Sequence, residues 1–391
     1  MNVYVLNSKI KKRDYDGVIL DENDFHPCRP FFIDHPNIKP ESVEKIHIKG
    51  ILEQHPYVRC IFRYCDYMLA KNGVLEVEFY NKNFDCPGII SRGFNEWACE
   101  LSIVFQERIH LLEKNNELNG LFVYKKLESF LPEGDSIDKW SFGVVSDGRK
   151  NERVKAIVQV IESFQIPNYE VLICGPSPYE NERENVRILD DLSFYNDIRI
   201  PISKKKNYII EQSKYNNLIV IHDRMMFSKT WYSDMQTYGN YFDCLSFPIK
   251  NEDNHFCRMA DWGTYTDSVY KLKLWDRFRL RPRLLEYDEW SPHIYIAGGF
   301  FLVKKHLIEK VKLAPYLNWG EKEDTDFSIR SYNNGVLFEF FQDTEIYSLA
   351  TRFSGNNRKS LKNKIREIFM PILKIRVFMH ERRMYKKYLN Q

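Results

Sequence analysis

The sequence predicts an α/β protein, and three observations carry that prediction. Short apolar runs such as Leu218–Ile221 show no polar alternation, which marks strands covered on both faces. Amphipathic helical stretches separate these runs, so helices alternate with strands. Residues able to do chemistry follow the runs directly, as His222, Asp223 and Arg224 follow Ile221, and open α/β sheets bind ligands outside the carboxyl ends of their strands. At 391 residues the chain exceeds one ordinary core, so two domains are expected.

The first expected domain covers residues 1–130. In it "DGVIL", "VEKIHI" and "GVLEVEFY" read as strands. "QHPYVRCIFRYCDYMLAKNG" reads as a helix closed by Gly73, with Lys71 in its last turn favoured by the helix dipole. "GFNEWACELSIVFQERIHLLEK" reads as a second long helix, apolar at Trp97, Leu101, Val104 and Phe105. The loop "LPEGDSIDK" marks the boundary. The second expected domain, residues 140–354, alternates again: strand "WSFGVVSDG", helix "NERVKAIVQVIESFQ", strand "YEVLICGPS", helix "PISKKKNYIIEQSKYN", strand "LIVIHDR".

Composition is that of a globular protein without internal repeats or low-complexity linkers. No apolar run approaches the ~18 residues that a membrane-spanning helix needs. The N-terminus lacks the apolar core of a signal peptide, so a cytoplasmic location is expected. Eight scattered Cys without a CxxC pair read as buried thiols, not a zinc site or a disulfide framework. The net charge of +3 hides an asymmetry. Residues 355–391 carry eleven Lys/Arg against two Glu, a net of +9, which leaves −6 for residues 1–354.

The region from Trp140 to Phe353 resembles a family 2 glycosyltransferase of the GT-A fold, a Rossmann-like nucleotide-diphospho-sugar transferase. The resemblance rests on "FGVVSDG" followed by "ESFQIPNYEVLICG", then "ISKKKN", "IVIHDR", "IAGGFFLVKK" and "NWGEKEDTDFSIR", in that order. It implies an inverting transfer from a nucleotide-sugar donor, UDP being the family's commonest nucleotide. Where the family carries D-x-D, whose last Asp tends to hold Mn²⁺ or Mg²⁺, this chain reads His222, Asp223, Arg224. Either Asp223 holds the cation with water and phosphate, or Arg224 pairs with the diphosphate itself. The expectation is a divalent metal at Asp223 assisted by Arg224, although the His that often completes the metal site is absent from "EIYSLATRF".

The resemblance further implies that Ser146, Asp147 and Gly175 meet the nucleotide and that Lys206 and Asn207 meet phosphate or ribose. Gly298 and Gly299 let the backbone approach the sugar. Glu323 would position the acceptor, and Asp324 would take the proton from its attacking hydroxyl. The plainer readings are a solvated "KKK" face, a tight Gly-Gly turn and an "EDTD" helix cap. Trp262, Tyr265, Trp275, Trp290 and His293 are candidates to stack on the acceptor glycan; such aromatics are more often core.

The N-terminal region is similar to the back half of an S-adenosylmethionine-dependent methyltransferase, through "ESVEKIHIKGILEQHP" and "MLAKNGVLEVEF". The glycine-rich loop that cradles that cofactor is missing, so a degenerate α/β domain without S-adenosylmethionine is expected. The tail mixes apolar residues with clustered cations, the pattern of an interfacial helix on anionic lipid, kinked at Pro371. No RNA- or DNA-binding motif supports a nucleic-acid partner; self-association into a homo-oligomer through the tail helix is the alternative. The expected protein is thus a cytoplasmic, peripheral membrane glycosyltransferase acting on a glycan or lipid-linked glycan in capsule, lipopolysaccharide or exopolysaccharide synthesis. The contrasting reading is a non-catalytic scaffold in a glycan-synthesis complex.

Overall fold

A computed structural model describes residues 1–8, 10, 15–52, 55, 57–80, 94–115, 119–189, 200–257, 261–264 and 283–349. The basic tail, Tyr265 and Trp275 lie outside the described residues. Two larger sheets organise the chain, giving a mixed α/β protein with largely parallel sheets.

The first is six-stranded, in the order β2-β1-β3-β4-β6-β5. Its strands are β1 (Asn2–Leu6), β2 (Val18–Leu20), β3 (Val43–Lys49), β4 (Leu69–Tyr80), β5 (Ile109–Asn115) and β6 (Asn119–Lys126). β1 to β4 run parallel, and β6 is antiparallel to both β4 and β5. Helices α1 (Phe31–Asp34), α2 (Val58–Met68) and α3 (Phe94–Phe105) accompany this sheet.

Two expected helices end early here. α2 stops at Met68, and Lys71 and Gly73 lie in β4, whose pairing with β3 slips between Leu69 and Val74. Asn72 takes the left-handed conformation (φ 67°) inside that irregularity. The Lys-Asn-Gly signal that suits a helix end suits this kink equally well. α3 likewise gives way at Gln106, itself left-handed (φ 53°), so "IHLLEK" is strand β5 and not helix.

The second sheet is seven-stranded, in the order β18-β12-β17-β10-β7-β8-β9. It contains β7 (Lys139–Val145), β8 (Asn168–Cys174), β9 (Val186–Leu189), β10 (Asn217–His222), β12 (Cys244–Ser246), β17 (Phe300–Lys304) and β18 (Phe338–Phe340). β10, β7, β8 and β9 are parallel, and β17 runs against β10 and β12. Two small sheets flank it. One joins β11 (Met225–Phe227), β19 (Ile346–Ser348) and β13 (Ile249–Asn251). The other joins β15 (Arg283–Leu284), β14 (Gly263–Thr264) and β16 (Ile294–Tyr295).

All of β10 is buried, as its continuous apolar run requires. α4 (Asn151–Ser163) sets Val154, Ile157 and Ile161 in the cluster that holds Phe142 and Val144 of β7. On the other face, α5 (Ile202–Gln212) approaches β7 at Gly143, where a Cβ would stand 2.1 Å from Ile209 Cγ2. α6 (Trp231–Tyr238) adds Trp231 to the first face.

One apolar cluster runs without a break from Val3, Ile46 and Leu75 of the first sheet to Leu218, Val220 and Phe301 of the second. Buried charge crosses the same seam. Asp66 of α2 takes Arg63 (2.9 Å), Arg108 (2.6 Å) and Lys126 (3.3 Å). Arg63 reaches on to Asp243 (2.9 Å), which also accepts from Tyr67 (2.7 Å) and from the Leu337 N–H (2.7 Å). Glu339 closes the network, accepting from the Asp243 N–H (3.0 Å) and from Tyr64 (3.3 Å). Among the described residues no helix is long and apolar enough to cross a membrane, and no cysteine forms a disulfide.

Candidate functional site

The parallel pairing aligns Val145 with Cys174 and with His222, so three strands end side by side. The turns that follow hold most of the expected site residues. Ser146 shapes the first turn: its Oγ donates to Pro176 O (2.7 Å) and accepts from the Gly148 N–H (3.1 Å). Gly175 has φ +112°, and a Cβ there would stand 2.4 Å from Ser146 O and 2.7 Å from Lys205 Nζ, so only glycine fits. Lys205 Nζ donates to Ser146 O (2.9 Å) and pins the turn from below. Asp147 is exposed and turns back on the Arg149 N–H (2.9 Å).

Asp223 N–H bonds Val145 O (3.2 Å), which fixes the second turn against the first. Asp223 is buried; its Oδ1 meets Lys150 Nζ at 3.4 Å, and its Oδ2 has no hydrogen-bond partner. Burial raises its carboxyl above the ordinary value, Lys150 opposes the rise and the charge of Asp147 adds to it. Lys150 is the N-cap of α4, and no side chain caps that helix start. His222 is buried and donates its backbone N–H to Gly299 O (2.9 Å).

That bond brings in the glycine pair. A Cβ on Gly299 would lie 3.5 Å from Arg224 Nη2, so the guanidinium stands over that backbone. A Cβ on Gly298 would lie 3.0 Å from both Asp324 Oδ2 and Glu323 Oε1. The two glycines therefore separate a guanidinium from two carboxylates by one peptide unit.

Glu323 and Asp324 open the helix Glu323–Asn333, where the dipole favours carboxylates. Asp324 Oδ2 accepts from the Gly298 N–H (3.2 Å), and Oδ1 from the Thr325 N–H (2.8 Å). Burial, then the charge of Glu323, raises the Asp324 carboxyl, while Lys206 and the two N–H groups lower it. Lys206, fully buried, meets Glu323 Oε1 at 3.1 Å. One turn on, Ser328 Oγ donates to Asp324 O (2.7 Å).

Three expected residues, Asn207, Trp262 and Trp290, make other contacts. The Asn207 amide clamps Leu313, donating to its O (2.8 Å) and accepting from its N–H (2.7 Å), so it faces away from the turns. Trp262 and Trp290 are core: their Nε1 groups donate to Glu289 O and Phe338 O, both at 2.8 Å. His293 is exposed. Sequence reasoning missed Lys150 and Lys205. The "KKK" run held the second signal, since Lys205 and Lys206 are buried and only Lys204 is exposed.

A divalent cation at Asp223 fits this donor set poorly. A hard dication gathers several oxygen ligands. Here an ammonium already sits on Asp223 Oδ1, and the next residue is Arg224. Among the described residues no group of three His, Cys, Asp or Glu converges as a metal site.

No family model matches the sequence, and no curated protein matches it. Among solved structures, S. aureus TarS 1–349 is similar at a TM-score of 0.37 and 12% identity, over 54% of this chain and 60% of that one. The same fragment in complex with UDP-GlcNAc gives 0.37 and 13%, over 56% and 61%. Another S. aureus TarS structure gives 0.35 and 13%, over 55% and 37%. The match spans at most 61% of those chains, and a likeness this loose assigns no activity.

Proposed function

We propose that the chain is an inverting glycosyltransferase that takes a sugar from a nucleotide-diphosphate donor, a UDP-sugar by preference. One observation carries the reading. A carboxylate whose proton affinity is raised, Asp324, and a guanidinium, Arg224, flank the same glycine pair beside the carboxyl ends of parallel strands. The family resemblance of "GEKED" implies the base role for Asp324, whereas Arg224 stands where the family has a metal-binding Asp.

In this reading the acceptor hydroxyl gives its proton to Asp324 as its oxygen bonds the anomeric carbon. The carbon–oxygen bond to the diphosphate breaks on the opposite side, with its electron pair going to the phosphate oxygen. Arg224 stabilises the charge that builds there. Glu323, held by Lys206, orients the acceptor. The acceptor is a glycan or lipid-linked glycan at the inner face of a cell membrane, with residues 355–391 meeting anionic lipid. The N-terminal residues serve packing and partner contact.

Asp324→Asn keeps the size of the side chain and, through its amide oxygen, one of the two N–H contacts, and it removes proton acceptance. It is expected to lower transfer at least about a hundredfold, the span of general-base catalysis, with donor affinity nearly unchanged. Turnover near wild type would end the assignment of Asp324. The altered "HDR" favours the rival reading of a scaffold, which predicts that the purified chain neither transfers nor hydrolyses any nucleotide sugar.

A further inference from the structure

Granting that reading of the site, we infer that the donor diphosphate is neutralised by two resident side chains, Lys150 and Arg224, and that this chain transfers without a divalent cation. The argument begins with position. Lys150 stands at the start of a thirteen-residue helix, α4, whose first turn no side chain caps. Unclaimed N–H groups and the dipole make such a start favourable to phosphate. A second observation points to a ligand: Asp223, more than nine-tenths buried, faces this helix start with Oδ2 unpartnered. A carboxylate left so can accept from a donor hydroxyl such as that of a ribose.

Charge then decides between metal and side chains. A dication on Oδ2 would share one carboxylate with the Lys150 ammonium on Oδ1, and the next residue in the chain is a further cation, Arg224. Like charges this close in a half-buried site oppose one another strongly. Two monocations supply the same total charge as one dication. They also reach from two sides, Lys150 from the turn after β7 and Arg224 from the turn after β10. Asp223 is then a positioning residue, holding Lys150 at 3.4 Å while the ammonium keeps donors for phosphate oxygen.

The test uses the full chain with UDP as probe, titrated by calorimetry in excess EDTA and again with Mn²⁺ or Mg²⁺. UDP is expected to bind in EDTA with Kd within about twofold of its value in metal. Lys150→Ala and Arg224→Ala should each weaken it about tenfold or more, the loss of one charge-assisted contact. Lys150→Ala should also become responsive to Mn²⁺, since the Asp223 carboxylate then carries no competing ammonium. Lys150 lies at a part-exposed position, so the variant should unfold at the wild-type temperature; Lys150→Gln repeats the measurement if it does not. UDP binding by the wild type only when metal is present overturns the inference and leaves the glycosyltransferase reading standing. Failure of UDP, GDP, ADP and dTDP to bind under every condition overturns both.

Discussion

At the scale of the residue, the site is a contest over the proton of Asp324. Its carboxyl is raised by burial and by Glu323. A base must be ionised to work, so activity should climb with pH along a limb above the ordinary value of 3.8. Glu323→Gln removes a raising charge and leaves Lys206, which lowers it, in place. The acid limb of kcat/KM should therefore move to lower pH, and an unmoved or more alkaline limb would refute this coupling. Asp324, Glu323, the glycine pair, Asp223 and Arg224 each sit inside a motif, which is why the sequence singles them out; Lys206 was singled out for phosphate or ribose and instead pairs with Glu323. Lys150 was not, because its partner lies 73 residues away and only the pairing of β7 with β10 joins them. The tryptophans misled for a related reason: a ring's exposure depends on which carbonyl its N–H finds, and the sequence does not say.

Among the elements, the long runs were readable and the short ones were not. β10, α4 and α5 follow their patterns because buried strands and amphipathic helices of this length leave little choice. β5 was read as helix since "IHLLEK" continues the α3 pattern, and only a left-handed Gln106 turns the chain. β9, four residues long, carries too little pattern to be seen. The contact that sets α5 against β7 is itself testable. Gly143→Ala would put a Cβ 2.1 Å from Ile209 Cγ2, which a packed helix cannot absorb. Overpacking of this kind costs about 1–3 kcal/mol. Because α5 carries Lys205 and Lys206, donor binding should weaken along with chemical stability in denaturant. A variant as stable as wild type would show that the helix can slide.

For the molecule as a whole, the seam between the sheets is ionic and buried. Burial raises Asp66's carboxyl, yet Arg108, Lys126 and Arg63 together hold it below the usual value. Glu339 goes the other way: burial and the charge of Asp243 push it up to about 8 from 4.5. A raised acid binds its proton more tightly folded than unfolded. Its stabilising contribution is complete below about 4.5 and is lost as pH rises through about 8. Glu339→Gln mimics the protonated form, with its amide N–H groups facing Tyr64 and Tyr238 and its oxygen facing the Asp243 N–H. The wild type should lose more of its unfolding temperature between pH 5 and pH 8 than Glu339→Gln does. Parallel curves would place the charge elsewhere in the network. The loop "LPEGDSIDK" suggested a boundary from its turn residues; the packing that runs past it depends on contacts no local pattern encodes.

That seam also dictates a timetable for the ribosome. Arg63 waits for the carbonyl of Gly335, 272 positions later, and Tyr64 for Glu339, 275 positions later. At roughly 5–20 residues per second of synthesis, helix α2 would spend about 15–55 s outside the exit tunnel with its buried cations and phenols unmatched. All eleven of its residues are destined for the interior. The first sheet is therefore a nascent guest that cannot finish folding ahead of the rest, and a chaperone that shields it until the last strand emerges would guard the yield of the whole chain.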